Sequence, residues 1–232
     1  MLVLEGSVDR VLVFLPGFLN AATSYRALLE PVAAAGTTVI VPQLYARGIG
    51  ALAGRVPVSA EAAAAADLVR DTADQRGTTQ VFLAGHSRGG QAAWRAAGLL
   101  AAEGLPAGLV LFDPVDGEGR RPSAPAATAT GAAFACPALV IGAGLGGRCA
   151  PVPVNHRVFA AATPHARHVV VKGFGHADLL EGRARSLGRR LCGGADDPDP
   201  GRTACSALLT AFLEGDPAGA SVPPDRLEWL AR

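Results

Sequence analysis

Short runs of mostly apolar residues alternate with longer stretches in which small apolar and polar residues mix. Continuous apolar runs of four or five residues are typical of strands that are buried on both faces. The pattern predicts strands at 11–15, 38–41, 81–84, 109–112, 138–141 and 168–171. The stretches between them predict helices at 24–35, 60–75, 89–103, 155–162, 179–187 and 203–213, with a final turn at 226–230.

This alternation of apolar strands and helices predicts an α/β fold with a mostly parallel central sheet and helices on both faces. No internal repeat and no second pattern interrupts it, so we expect a single domain over residues 1–232. The polar, proline-rich segment at 190–202 is predicted to be a surface loop. Ligands of such open sheets bind at the carboxyl ends of the strands. Polar residues just after a predicted strand are therefore the first candidates for a functional site.

The strand at 81–84 runs directly into Gly85-His86-Ser87-Arg88-Gly89, and a predicted helix follows. A strand, a Gly-x-Ser-x-Gly turn and a helix together describe the nucleophile elbow of α/β-hydrolases. The serine at the tip of such a turn has a strained backbone, and flanking side chains would collide with the neighbouring strand and helix. We therefore predict the α/β-hydrolase fold, with Ser87 as its nucleophile.

A serine hydroxyl needs a base within hydrogen-bonding reach and a carboxylate that orients the base. In α/β-hydrolases the order along the chain is serine, acid, histidine. His176 follows the last predicted strand and is the predicted base. The other histidines adjoin the serine, open a strand or flank a helix away from the strand ends; they are His86, His168, His156 and His165.

The predicted acid is Asp113, which directly follows the strand at 109–112 and so emerges at the edge that carries Ser87. Asp116, further out in the same loop, is the alternative. Asp178 lies two residues from His176 and is expected to be a solvated loop acid or a helix cap.

Two backbone N–H groups are expected to form the oxyanion hole. One belongs to Arg88, which follows the nucleophile, and the other to Phe18 in the loop after the first strong strand, with Leu19 as the alternative. The loops at 43–58 and 117–137 are expected to border the substrate pocket. The predicted pocket residues are Leu19, Leu44, Tyr45 and His86.

Composition narrows the function classes. The chain is 50% hydrophobic and 18% charged, with a formal net charge of +1, so nothing favours a nucleic-acid partner. No apolar run approaches the roughly 20 residues of a membrane span. Metal-ligand spacings are absent, and neither metal nor cofactor is expected. The N-terminal sequence has no charged leader, which predicts a cytoplasmic protein, although a secreted mature form is compatible with the same residues.

The cysteines form no Cys-x-x-Cys pair, so a zinc or redox motif is not predicted. Cys149, Cys192 and Cys205 could pair, whereas Cys136 precedes a strand and is expected to be a small buried apolar group. In the absence of a secretion signal, free thiols are expected.

The chain resembles the chlorophyllases over most of its length, in a form similar to a bacterial member. The two most specific segments are the elbow Gly85-His86-Ser87-Arg88-Gly89-Gly90 and Asp113-Pro114-Val115-Asp116-Gly117. Further matching segments are Phe14-Leu15-Pro16-Gly17-Phe18, Pro42-Gln43-Leu44-Tyr45, Leu139-Val140-Ile141-Gly142-Ala143-Gly144-Leu145-Gly146, Cys149-Ala150-Pro151, Val154-Asn155-His156 and Gly175-His176-Ala177-Asp178.

The resemblance implies a serine esterase that releases phytol from chlorophyll. The family's nucleophile, acid and base fall on Ser87, Asp113 and His176, which supports Asp113 over Asp116. The expected partner is a small hydrophobic ester. Two alternatives remain: a general carboxylesterase or polyester hydrolase with the same triad, and a non-catalytic protein that binds a hydrophobic ligand.

Overall fold

The computed structural model describes residues 1–44, 57–117 and 124–230. In this part of the chain, eight strands form one sheet in the order β1-β3-β2-β4-β5-β6-β7-β8. The six inner strands run parallel, and β1 and β8 pair antiparallel at the two edges. The bounds are β1 Leu2–Leu4, β2 Val11–Leu15, β3 Thr38–Val41, β4 Val81–His86, β5 Leu109–Phe112, β6 Ala138–Ala143, β7 Arg167–Val171 and β8 Leu227–Trp229.

Helices cover both faces of the sheet, as the apolar strands require. Alternate strand residues point to opposite faces, and each face has its own apolar core. One core packs against α1 and α6, and the other packs against α2, α3 and α4. The bounds are α1 Arg26–Ala34, α2 Val58–Arg76, α3 Arg88–Leu100, α4 His156–Ala162, α5 Gly182–Cys192 and α6 Asp199–Leu213. The predicted mostly parallel α/β sheet is confirmed.

Single-turn 3-10 helices connect several of these elements, and two of them bear on the site. Ala22–Tyr25 leads into α1, and His176–Leu179 follows β7. The others are Ala101–Glu103, Thr128–Thr130, Val152–Val154, Pro217–Gly219 and Pro224–Arg226.

The predictions for the two edge strands and for the segment at 190–202 are partly wrong. Residues 226–230 contain an edge strand, β8, rather than only a turn, and β1 was not predicted at all. Each of these strands has three residues, too few to show a pattern. The segment predicted as a loop at 190–202 contains the end of α5 and the start of α6, where Pro200 is tolerated in the first helical turn.

The expectation of free thiols is wrong for two of the four cysteines. Cys149 and Cys192 form a disulfide, with their Cα atoms 4.9 Å apart. Cys205 lies buried in α6 as a free thiol, and Cys136 is partly buried and free. Sequence spacing could not identify the pair, because the loop after β6 and the end of α5 meet only in the folded chain. Disulfides persist mainly in oxidising compartments, so the cytoplasmic location stays a prediction.

No helix in the described ranges is long and apolar enough to pass through a bilayer.

Removing the disulfide should destabilise the fold. The bond closes a loop of 43 residues, for which the chain-entropy model gives about 4 kcal/mol. We expect the Cys149→Ser/Cys192→Ser variant to lower the free energy of unfolding by about 2–4 kcal/mol in urea titrations. Cys136→Ser, at a free and partly exposed thiol, is the matched control. Equal stabilities for the double variant and the wild type would contradict the assignment.

Candidate active site

Ser87 occupies a sharp turn between β4 and α3. Its backbone φ is +55°, a left-handed conformation that is unfavourable for a residue with a side chain. The turn closes because its flanking residues are glycines. A Cβ on Gly85 would lie 2.3 Å from the carbonyl oxygen of Gly89, and a Cβ on Gly89 would lie 2.3 Å from that of Leu15. The predicted elbow is therefore present, and it lifts the Ser87 hydroxyl away from the sheet edge.

The structure brings together the three residues predicted as nucleophile, base and acid. Nε2 of His176 lies 3.0 Å from Oγ of Ser87, and Nδ1 of His176 lies 2.7 Å from Oδ2 of Asp113. The His176 and Asp113 side chains are almost fully buried. Because Asp113 accepts a hydrogen bond from the Nδ1–H group, the Nε2 lone pair of a neutral His176 faces the serine hydroxyl.

Asp113 is held as a carboxylate. Burial alone would raise its pKa, but the hydrogen bond and charge of His176, the charge of His156 and the Ala143 N–H together hold the pKa below its usual range. The N–H of Ala143 donates to Oδ1 at 3.1 Å, so both carboxylate oxygens have partners. The backbone of Asp113 has a φ of +37°, in the left-handed region that is unfavourable for a residue with a side chain.

The alternative acid, Asp116, has a different role. Its carboxylate is fully buried and accepts hydrogen bonds from the side chains of Gln91 and Thr128 and from the N–H groups of Gly117, Ala127 and Thr128. Burial would raise its pKa, but these donors outweigh burial and lower it. These bonds attach the loop after β5 to α3. None of them involves His176.

The expectation that Asp178 is a solvated loop acid or a cap of the next helix is wrong, because it caps its own 3-10 helix, His176–Leu179. Its carboxylate is fully buried and accepts hydrogen bonds from the N–H groups of Gly175 at 2.8 Å and Ala195 at 2.7 Å, with Arg185 at 3.4 Å. The bond to Gly175 closes the turn that carries His176. Sequence offered one signal for this role, since an aspartate three residues after a glycine can bond back to that glycine's N–H.

The predicted oxyanion-hole residues lie beside the elbow. Leu15 pairs with Gly85 in the sheet, so the turn that holds Phe18 follows directly next to Ser87. The Arg88 guanidinium lies 5.5 Å from the centre of the Phe18 ring and donates to the Glu61 carboxylate at 2.9 and 3.1 Å. Glu61 was not among the site residues predicted from the sequence. That the N–H groups of Phe18 and Arg88 bind an oxyanion stays a prediction.

The predicted pocket residues fall in different environments. Leu19 is 40% exposed at the rim, with a φ of +61°. Leu44 is partly buried against the core shared with α2 and α3. Tyr45 and most of the loop at 43–58 lie outside the described residues, as does part of the loop at 117–137.

The assignment of His86 to the pocket is wrong, because its side chain is 1% exposed and turns inward. Its Nε2 lies 3.0 Å from the carbonyl oxygen of His176, and its Nδ1 lies 2.8 Å from the Tyr25 hydroxyl. Since a carbonyl can only accept, Nε2 carries the proton and Nδ1 accepts from Tyr25. The Tyr25 hydroxyl in turn accepts from the N–H of Gly17 at 2.8 Å.

This buried chain connects the two loops that flank Ser87. Through Tyr25 and His86, the backbone of Gly17, next to Phe18, is joined to the backbone of His176. Burial raises the pKa of Tyr25, so its hydroxyl keeps its proton. Burial and the neighbouring His176 lower the pKa of His86 to about 3, so that ring stays neutral. No sequence pattern indicated this role for Tyr25, which lies inside the helix predicted at 24–35.

His156 was expected to lie away from the strand ends, and this is wrong. A Cβ on Gly142, near the end of β6, would lie 2.5 Å from the His156 ring, and the charge of His156 acts on Asp113. Its Nδ1 lies 2.7 Å from Nε2 of His168, which supports the structural role expected for His168. Among residues 1–44, 57–117 and 124–230, no group of three or more potential ligands is arranged to hold a metal.

The neutral His86 predicts a pH dependence of stability. An unfolded histidine takes up a proton below about pH 6.5, whereas folded His86 does so only near pH 3. Its contribution is therefore complete above pH 6.5 and is lost as the pH falls from 6.5 towards 3. From pH 7 to pH 5 we expect it to cost about 2 kcal/mol of unfolding free energy.

His86→Gln is the matched variant, because a glutamine amide can donate to His176 and accept from Tyr25 without titrating. Urea unfolding at pH 7 and pH 5 should show a change about 2 kcal/mol smaller for the variant than for the wild type. Parallel pH profiles would contradict the role given to His86.

Comparison with known proteins finds relatives over most of the chain. The family model described as Chlorophyllase matches residues 5–221. Chlorophyllase-1, chloroplastic, from Citrus unshiu is 28% identical, covering 97% of this chain and 78% of that protein. The protein of the same name from Citrus sinensis is also 28% identical, covering 95% of this chain and 76% of its own.

Solved structures share the fold. A ferulic acid esterase from Streptomyces cinnamoneus superposes with a TM-score of 0.66 at 18% identity, covering 96% of this chain and 74% of its own. A metagenome-derived lipolytic enzyme, one of the pair LipS and LipT, superposes with a TM-score of 0.59 at 20% identity, covering 82% of this chain and 94% of its own. These likenesses confirm the α/β-hydrolase fold. With the family model matched over nearly the whole sequence, the chain belongs to the chlorophyllase family and is a carboxylic ester hydrolase.

Proposed function

We propose that Ser87, His176 and Asp113 form a catalytic triad that hydrolyses the phytyl ester of chlorophyll, or a similarly bulky hydrophobic ester. The observation that carries the triad is the continuous line of two hydrogen bonds, 3.0 Å from Ser87 to His176 and 2.7 Å from His176 to Asp113. A protein that only binds a ligand has no need for this aligned and buried set.

The geometry supports a two-step acyl transfer. Ser87 Oγ attacks the ester carbonyl while its proton passes to Nε2 of His176, and Asp113 stabilises the imidazolium that forms. The C–O bond to the alcohol then breaks, and His176 returns the proton to the leaving alkoxide, which departs as phytol. Water, deprotonated by the same histidine, attacks the acyl-serine and releases the carboxylic acid and the Ser87 hydroxyl.

The tetrahedral intermediates place a negative charge on the former carbonyl oxygen. We assign its stabilisation to the N–H groups of Arg88 and Phe18, which flank the nucleophile. One donor of this kind typically contributes about 3–4 kcal/mol to transition-state stabilisation. The Arg88 side chain is held by Glu61 and the Phe18 turn is anchored through Gly17 and Tyr25, so both backbones are positioned before substrate arrives.

Family membership and the apolar edge around Ser87 support a bulky hydrophobic substrate. The two citrus relatives carry the name chlorophyllase. In the described residues, large apolar side chains stay exposed on loops at the carboxyl edge: Phe18, Leu19, Leu145 and Val152. Such surfaces suit a lipophilic tail or a flat macrocycle better than a small polar ester.

The triad predicts a large and specific loss of turnover. Ser87→Ala should reduce kcat for a p-nitrophenyl ester by about 10⁴-fold or more, because nucleophile and base act as a unit. Asp113→Asn should reduce it by about 10⁴-fold, since the amide favours the wrong tautomer of His176. Asp116→Asn is the matched control: it should lower stability while the folded fraction keeps kcat within tenfold. Turnover by Ser87→Ala within tenfold of the wild type would contradict the triad.

Substrate choice is tested on one enzyme preparation with chlorophyll a, a polyester film and p-nitrophenyl acetate and octanoate. We expect release of chlorophyllide and phytol from chlorophyll a, and a higher kcat/KM for octanoate than for acetate, because the apolar edge gains contact with the longer chain. A preference for acetate without chlorophyll hydrolysis would overturn the chlorophyll assignment and favour a general carboxylesterase. Film hydrolysis alone would favour a polyester hydrolase.

A further inference from the structure

Helix α5 lies on the surface and none of its eleven residues is fully buried. It is fixed to the molecule on one side: Gly188 packs closely on Ala177, and Arg185 bonds to the buried Asp178. On its outer side Leu187 is 60% exposed and Leu191 is 59% exposed. Leucines four residues apart on a helix are neighbours, so the two form one outward apolar ridge.

The two ends of the helix are attached to loops at the edge of the sheet that carries Ser87. At its start, the N–H of Glu181 donates to the carbonyl oxygen of Ser24, beside the loop that contains Phe18 and Leu19. At its end, Cys192 is bonded to Cys149, and its carbonyl oxygen accepts from the N–H of Arg148. The ridge therefore lies between two loops that carry their own exposed apolar side chains, Phe18 and Leu19 on one and Leu145 and Val152 on the other.

Exposed arginine side chains lie beside the apolar ridge. Arg183 and Arg190 lie on the same face as Leu187 by helical spacing, and Arg148 follows Leu145 in the adjoining loop. All three are exposed, and in the described ranges none takes part in an ion pair. The helix's other two arginines, Arg185 and Arg189, are paired with Asp178 and Asp196.

We propose that this face is a docking surface for an anionic lipid bilayer, with Leu187 and Leu191 entering the headgroup boundary and Arg183, Arg190 and Arg148 contacting lipid phosphates. Exposed leucines flanked by arginines on a surface helix are the arrangement that binds such an interface. A second copy of the chain fits less well, because a two-fold contact would bring the same arginines together. The use of the surface to deliver a lipid-soluble ester to Ser87 rests on the proposed function, whereas the binding does not.

The test uses the Ser87→Ala protein, so that binding is measured without turnover. Sedimentation with vesicles of phosphatidylcholine containing 30% phosphatidylglycerol should give a partition coefficient at least tenfold above that for phosphatidylcholine alone. Leu187→Ser/Leu191→Ser should lower binding at least tenfold, and Arg183→Gln/Arg190→Gln should lower it at least tenfold and flatten its salt dependence.

The matched control is Leu99→Ser/Arg76→Gln, which removes an exposed leucine and an exposed arginine from the opposite edge of the sheet and should bind like the parent. Absence of vesicle binding, or equal binding by all variants, overturns the proposal. Loss of self-association in the leucine variant, measured by analytical ultracentrifugation without vesicles, would assign the face to a second copy and overturn it also. With Ser87 restored, unchanged turnover of a soluble p-nitrophenyl ester by the variants separates this outcome from a failure of the esterase assignment.

Discussion

The site depends on the buried hydrogen bond between His176 and Asp113. A carboxylate without solvent is costly unless donors replace the lost water. Here the histidine and the Ala143 N–H provide them. That bond fixes the imidazole with its other nitrogen towards Ser87. One arrangement therefore both stabilises the buried carboxylate of Asp113 and orients the imidazole of His176.

Around this bond the fold anchors each loop with buried polar contacts. Asp116 holds the loop after β5, Asp178 closes the turn of His176, and Tyr25 and His86 join the Gly17 turn to the His176 backbone. These hydrogen bonds add to the apolar packing of the same loops, in which Val115, Phe174 and Leu179 are buried. The result is a preorganised edge at which a substrate meets groups already in place.

The surface beside this edge, on helix α5, is exposed, apolar and cationic. Helix α5 is attached through one side and the disulfide, and its leucines and two of its arginines face outward. A rigid site and an adjoining apolar, cationic face together suit a substrate that arrives from a lipid phase. The same helix thus helps to hold the His176 turn and carries the proposed docking surface.

The sequence by itself predicted the sheet class, the elbow and the three residues that the structure brings together as Ser87, His176 and Asp113. Continuous apolar strands specify burial on both faces, and a Gly-x-Ser-x-Gly turn between strand and helix leaves few alternatives for Ser87. Asp113 and His176 followed because parallel strands end at one edge. Tertiary structure alone decided the Cys149–Cys192 pair, the inward turn of His86, the burial of Asp178 and the contact of His156 with Gly142. Each of these features depends on contacts between residues that are far apart in the sequence, and local sequence patterns do not encode such contacts.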